Sequence, residues 1–354
     1  MSINAQGAAS FFSAMYRPWK LRDLETVPWN GKTVFSAFSC GGGSTMGYKL
    51  AGYRVIGHLE IDPGLSRMYV KNHHPRYSYT MDIREFLKIK NSDLPPELFR
   101  LDILDGSPPC SVFSLSGNRE KDWGRSRRFR EGQEKQRLDD LFIQFIQMIK
   151  KLEPKVFIAE NVKGLVAGNA RGYVSEILRE MKAAGYRTQI FCLNSAKMGV
   201  PQRRERVFFI GHKAELLYPQ LKLLFQEPPI TFGEIREDGG KPVSDYTLSL
   251  LKKKQLSDRR ISDINEREYG TNSRFNAAIV WDNEVAPTIT SSGEYYKAYN
   301  DTAFLDIDHI NCQTFPIDYD FCGQRVQYVC GMSVPPVMMK RISEEVASQW
   351  LNLK

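Results

Sequence analysis

The chain has 354 residues, 42% of them apolar, which by size suits one large domain with its own core plus a smaller one. Lys and Arg outnumber Asp and Glu by 49 to 41, so the net charge of +8 and pI near 9.0 suit a polyanionic partner without requiring one. No apolar run reaches the ~18 residues of a membrane span. The N-terminus lacks a secretion-signal pattern, and six cysteines without a C-x-x-C pair or His/Cys ligand spacing argue against a disulfide framework or a metal site and for a reducing cytoplasm.

Residues 1–30 read as an extension that packs on the sheet or stays mobile. From there to residue 211, apolar runs alternate with helix-like stretches. "TVFSAF" (33–38), "YRVIGHL" (53–59), "LDIL" (101–104), "KVFIAE" (155–160), "TQIFCL" (188–193) and "RVFFIG" (206–211) predict strands. "RLDDLFIQFIQMIKKL" (137–152) repeats apolar residues at helical spacing. The alternation predicts an α/β fold, a mostly parallel sheet with helices on both faces, over residues 31–211. Residues 212–323 show no clear period and predict a smaller, loop-rich domain. "SVPPVMMKRISEEVASQW" (333–350) predicts a helix with prolines near its first turn, in a segment 324–354 that returns to the first domain.

The first predicted strand runs into "FSCGGGS" (38–44). Glycines there let a ligand approach the backbone, and the following helix N-terminus favours negative charge. Glu60 closes the second strand 22 residues past Phe38, the spacing at which a carboxylate accepts ribose hydroxyls. The dinucleotide pattern G-x-G-x-x-G is not cleanly present, so the spacing predicts a different adenosine cofactor. Asp82 in "MDIREF" is a further acid, placed to cap an adenine or, more simply, a helix.

Farther on, "LDILDGSPPCSVFS" stiffens the chain with two prolines just before Cys110. "VFIAENVKGL" ends a buried strand in Glu160-Asn161, at the edge where such sheets bind ligands. A carboxyl there suits proton donation, although it could also cap the next helix. "GVPQRRERVFFIG" sets Gln202, Arg204 and Arg206 on alternate positions, so they share one face and need acceptors when buried.

The ordered blocks "FSCGGGS", "EID", "DI", "SPPCSVFS", "AENV", "PQRRERVFFIG" and "GMSVPP" resemble the DNA (cytosine-5) methyltransferases, over roughly residues 32–211 and 313–350. The resemblance implies a Rossmann-like S-adenosylmethionine-dependent methyltransferase sheet, with residues 212–323 as target-recognition domain. It implies Cys110 as the nucleophile that adds to cytosine C6, and Glu160 as the group on N3. Asn161 supports that strand end, while Arg204 and Arg206 hold the O2 side of the base and the catalytic loop. S-adenosyl-L-methionine, leaving as S-adenosyl-L-homocysteine, is expected on Phe38, Ser39, Cys40, Gly41, Gly43, Glu60, Ile61, Asp82, Ile83, Pro109, Leu141, Ser333 and Val334. No metal is expected. The target cytosine must leave the duplex. The segment between Ser114 and Leu138 has six arginines and two lysines. It suits a loop on double-stranded DNA, with Ser116 near the vacated stack and Arg119, Arg125, Arg127 and Arg128 toward phosphates. A bacterial or phage-infected cytoplasm, a monomer, and a restriction endonuclease acting separately complete the expectation.

Three positions depart from the family pattern. Cys40 stands where glycine is usual, Met332 where asparagine is usual, and "LDIDHINCQ" where Thr-x-Arg-Glu is usual. Two other functions compete: RNA cytosine methylation, whose branch carries a Cys-Phe-Thr signature not found in 212–323, and a silent DNA-binding relative, which the intact Cys110, Glu160-Asn161 and Arg204/Arg206 argue against.

Overall fold

The computed structural model describes residues 17–109, 126–127, 136–137, 141–166 and 171–353. Its main sheet has seven strands: β1 (Thr33–Ala37), β2 (Arg54–Glu60), β3 (Tyr77–Thr80), β4 (Ile103–Gly106), β5 (Val156–Val162), β6 (Tyr186–Asn194) and β7 (Glu205–Lys213). Their order is β3-β2-β1-β4-β5-β7-β6. Pairing is parallel except at β7, which runs antiparallel to β5 and β6. The connection reverses direction between β1 and β4, so a crevice opens beyond their carboxyl ends. The helices are α1 (Gly43–Leu50), α2 (Pro63–His73), α3 (Ile83–Lys88), α4 (Leu141–Leu152), α5 (Arg171–Ala183), α6 (Asp245–Leu251), α7 (Ile261–Tyr269), α8 (Asp306–Gln313), α9 (Val326–Met332) and α10 (Pro336–Val346).

Strand alternation builds a core on each face. Phe35, Leu104, Phe157, Ala159, Val207 and Phe209 point to one side, against α3, α4 and α5. Val34, Ile103, Val156, Ile158, Phe208 and Ile210 point to the other, where Tyr48 of α1 and Met338, Met339 and Ile342 of α10 cover them. Helix α4 buries Leu141, Phe142, Phe145, Ile146, Met148, Ile149 and Leu152. Each such side chain contributes roughly 1.5–3 kcal/mol of transfer free energy.

The structure differs from the sequence reading in several places. Strand β3 is additional: "YSYT" alternates half-buried and exposed residues, without aliphatic side chains to mark it. β4 begins at Ile103, and just before it the Asp102 carboxylate accepts from Thr33 N–H at 2.8 Å and pairs with Lys155. Gln136–Arg137 is not the start of a helix but a two-residue strand antiparallel to Ser126–Arg127. Residues 17–21 pack on the turn at 314–318 rather than on the sheet. The Trp19 indole donates to Thr314 O at 3.0 Å, and Leu21 N–H donates to Asp318 at 2.8 Å.

The stretch 212–323 holds regular structure that its sequence conceals. β8 (Ala277–Val280), β9 (Glu294–Lys297) and β10 (Thr302–Ala303) form a small sheet, and Ala286–Pro287 pairs with Gln202–Arg203 beside the main one. Its centre includes an ion pair fully removed from solvent, Lys297 Nζ to Asp308 Oδ2 at 2.8 Å. Lys297 also donates to Glu237 O, while Asp308 accepts from the N–H groups of Glu237 and Leu305. The departure "LDIDHINCQ" thus becomes α8, with Asp308 closing its first turn.

Candidate active site

After β1 the backbone turns left-handed at Phe38 (φ 54°), Cys40 (φ 45°) and Gly42 (φ 67°). This curl aims the Cys40 N–H at Glu60 Oε2 (2.9 Å), while Asp62 N–H donates to Glu60 Oε1 (3.0 Å). Burial pushes the Glu60 carboxyl up, and the backbone amides pull it back toward the ionised form. Ser39 Oγ lies 2.9 Å from His58 Nδ1, whose Nε2 lies 2.8 Å from Ser78 Oγ, so Ser39 faces the packing behind the turn. A Cβ on Gly43 would lie 2.1 Å from Val334 O, so glycine lets the segment after α9 close over the turn.

One cleft opens above this turn. Phe38, Cys40, Glu60, Ile61, Asp82, Ile83, Pro109 and Leu141 line it. Ser39, Gly41, Gly43, Ser333 and Val334 are not among its lining residues, and Ser333 and Val334 are buried. The sequence reading missed Leu59, Leu65, Met81, Ser107 and Tyr328 in the lining, and noted Met332 only as a departure. Tyr328 and Met332 arrive on α9, almost three hundred residues after the turn, and no local pattern announces them. Asp82 N-caps α3, accepting from Arg84 N–H at 2.7 Å, and also lines the cleft. Phe38 packs on Phe145 with ring centroids 6.4 Å apart.

Beside the cleft, β5 and β7 assemble a second group. Arg206 Nε donates to Glu160 Oε1 at 2.9 Å, both side chains being largely buried. Burial lowers the Arg206 guanidinium and Glu160 opposes that shift. Asn161 Nδ2 donates to Pro108 O at 3.1 Å, tying the end of β5 to the residue two before Cys110. Arg204, 2% exposed, donates to Ile289 O and Gly331 O, both at 2.9 Å. Burial pulls it down to about 9. Gln202 accepts from Ile289 N–H at 2.8 Å and donates to Cys312 O and Gln313 Oε1. Gln202 and Arg204 therefore both grip Ile289, while Arg206 reaches Glu160. Cys110, Ser116, Arg119, Arg125 and Arg128 lie outside the described residues; Arg127 falls in the short strand Ser126–Arg127. Among the described residues, no group of three or more His, Cys, Asp or Glu could hold a metal ion.

A carboxylate paired with arginine, next to an amide that holds the Pro-Pro turn, sits beside a cleft of apolar walls and buried acid. That arrangement fits group transfer from an adenosyl ligand to a base. The description of C-5 cytosine-specific DNA methylases matches residues 33–348, and the chain belongs to that family. It is 26% identical to the type II methyltransferase M.DdeI of Desulfomicrobium norvegicum, over 90% of this chain and 89% of that protein. It is also 26% identical to the type II methyltransferase M1.HphI of Haemophilus parahaemolyticus, over 89% and 86%. The crystal structure of S. pombe Dnmt2 methyltransferase superposes with a TM-score of 0.60 at 14% identity, over 91% of this chain and 99% of that one, a likeness of fold. The protein is a DNA cytosine-5 methyltransferase, as the seven sequence blocks imply.

Proposed function

We propose that the cleft holds S-adenosyl-L-methionine and that Cys110, Glu160, Asn161, Arg204 and Arg206 methylate a cytosine turned out of double-stranded DNA. The single observation that carries this is the junction at the end of β5. Asn161 holds Pro108 O two residues before Cys110, and its neighbour Glu160 is fixed by Arg206.

The lining residues fit an adenosyl group by their chemistry: Phe38, Leu59, Ile61, Ile83 and Leu141 offer apolar walls, and Glu60 and Asp82 offer acceptors. Phe38 packs on the adenine, Asp82 and Ile83 face its edge, and Glu60 takes the ribose hydroxyls. Pro109 and Leu141 flank the cofactor. Ser39, Cys40, Gly41 and Gly43 shape the turn beneath it, while Ser333 and Val334 close the methionine end from behind. When bound, the cofactor supplies an electrophilic methyl group on a sulfonium.

Cytosine C5 is a poor nucleophile. The Cys110 thiolate adds to C6, the electrons reach N3, and Glu160 donates the proton that neutralises it there. C5 is then enamine-like and takes the methyl group. Loss of the C5 proton to a base, return of the N3 proton to Glu160 and departure of the thiolate restore the ring. Arg206 keeps Glu160 oriented and presents positive charge to the O2 side; Arg204 holds the 289 and 331 backbone around it. Residues 31–211 with 324–354 form the catalytic unit, 212–323 the target-recognition unit and 1–30 an extension. Ser116, Arg119, Arg125, Arg127 and Arg128 serve the DNA side. The protein works as a monomer in the cytoplasm, where DNA is accessible, with a restriction endonuclease as a separate partner.

The test uses duplex DNA with 5-fluorocytosine at the methylated site. Fluorine cannot leave as a cation, so the cycle stalls with Cys110 bonded to C6. A denaturant-resistant adduct that requires S-adenosylmethionine and is lost in Cys110→Ser is expected; Glu160→Gln should slow it. No adduct, or an equal adduct in Cys110→Ser, overturns the mechanism.

A further inference from the structure

Asp105 has no part in that chemistry, yet it is among the most unusual residues of the fold. It sits in central strand β4, 2% exposed, where a carboxyl is costly. Its acceptors are used by hydroxyls. Ser36 Oγ of β1 donates to Oδ2 at 2.9 Å, and the Tyr48 hydroxyl of α1 donates to Oδ1 at 3.2 Å. The Ser44 hydroxyl of the first turn of α1 adds to these. The titratable groups around it are Tyr48 of α1, Tyr69 of α2 and Glu160 of β5. None of these three is a cation, and the Arg206 guanidinium is paired with Glu160.

The three elements it joins surround the cleft. β1 leads to Phe38, α1 follows the Cys40 turn, and β4 leads to Ser107 and Pro109. Burial raises the Asp105 carboxyl to about 7, with the hydroxyls opposing, so both of its states exist near neutrality.

We propose that Asp105 is a charge selector beneath the cofactor cleft, its carboxylate favouring the cationic sulfonium donor over the neutral thioether product. The inference rests on the cofactor reading above. S-adenosylmethionine and S-adenosylhomocysteine share their adenosine, amino and carboxylate groups. They differ by one methyl and one positive charge at sulfur. An anion in the protein strengthens donor binding alone, and so speeds exchange of spent for fresh cofactor. Groups that sense the shared parts cancel in the ratio of the two affinities.

The experiment is calorimetric titration of the full chain, without DNA, with each compound from pH 5.5 to 8.5. The donor-to-product affinity ratio should rise with pH by between about threefold and thirtyfold, the range for a unit charge acting through protein of effective dielectric near 20 or above. Asp105→Asn should hold the ratio low and flat. Ser36→Ala, which removes one hydroxyl from the carboxylate, should move the midpoint to higher pH. A flat wild-type ratio overturns the proposal. So does an Asp105→Asn protein that keeps the pH trend, which would assign it to Glu60 instead, or one that loses both ligands equally. Should Asp105→Asn not fold, an unmoved midpoint in Ser36→Ala overturns it. If neither compound binds at any pH, the cofactor reading fails and takes the inference with it.

Discussion

Replacing Lys297 with Met tests how the 212–323 region is held together. Lys297 and Asp308 are both 0% exposed and 2.8 Å apart. Removing one member of such a pair strands the other charge, at a cost of about 3–5 kcal/mol. Asp308 keeps two backbone donors, from Glu237 and Leu305, which places the loss near the lower end, about 3 kcal/mol. Lys241–Asp306 is the control. At 2.6 Å it is as short, but both side chains are more than half exposed, so Lys241→Met should cost at most about 1 kcal/mol. The double variant Lys297→Met/Asp308→Asn should be more stable than Lys297→Met, because the amide oxygen keeps one of the two donors while the charge is gone. Urea unfolding followed by tryptophan fluorescence reads all four proteins. A Lys297→Met loss under about 1 kcal/mol, or a double variant weaker than the single, refutes the reasoning.

Two further outcomes follow from the turn after β1. Cys40→Gly should stabilise the chain by about 0.5–1 kcal/mol, since left-handed backbone costs a side chain about 1–2 and the entropy of glycine returns part of it; an unchanged or lower urea midpoint contradicts this. His58, driven down to about 4 by burial, stays neutral while the unfolded chain takes up its proton below pH 6.5. Its contribution is therefore full above pH 6.5 and lost as pH falls toward 4. Between pH 7 and 4.5, wild type should lose about 2–3 kcal/mol more than His58→Gln, which keeps bonding capacity toward Ser39 and Ser78; parallel losses would place the acid sensitivity elsewhere.

The sheet was readable because its central strands are aliphatic runs whose alternate residues fill two separate cores, as in Val34/Phe35 and Ile103/Leu104. Edge strand β3 was not, since Tyr77–Thr80 buries too little to leave an apolar signature. The 212–323 region hid for a different reason. Much of what it buries is polar: Lys297, Asp308, Asn311 and Gln313 read as surface or loop until their partners are seen. At the site, the motif blocks marked Phe38, Glu60 and Asp82 because each closes or follows a recognisable element. They passed over Asp105, which in "ILDGSPP" looks like an ordinary turn residue, and Tyr328, which enters the cleft from a distant helix.

The double grip on Ile289 bears on chimeric enzymes. The backbone of one residue, met by Gln202 on its N–H and by Arg204 on its C=O, sutures the 212–323 region to the lead-in of β7. Gln202 extends the stitch to Cys312 and Gln313. A graft that exchanges the 212–323 region between relatives should keep its crossover points outside 286–291 and 312–313, so that host arginine and glutamine meet host backbone. A transplant cut within those stretches would ask a foreign backbone to match a guanidinium buried away from the surface.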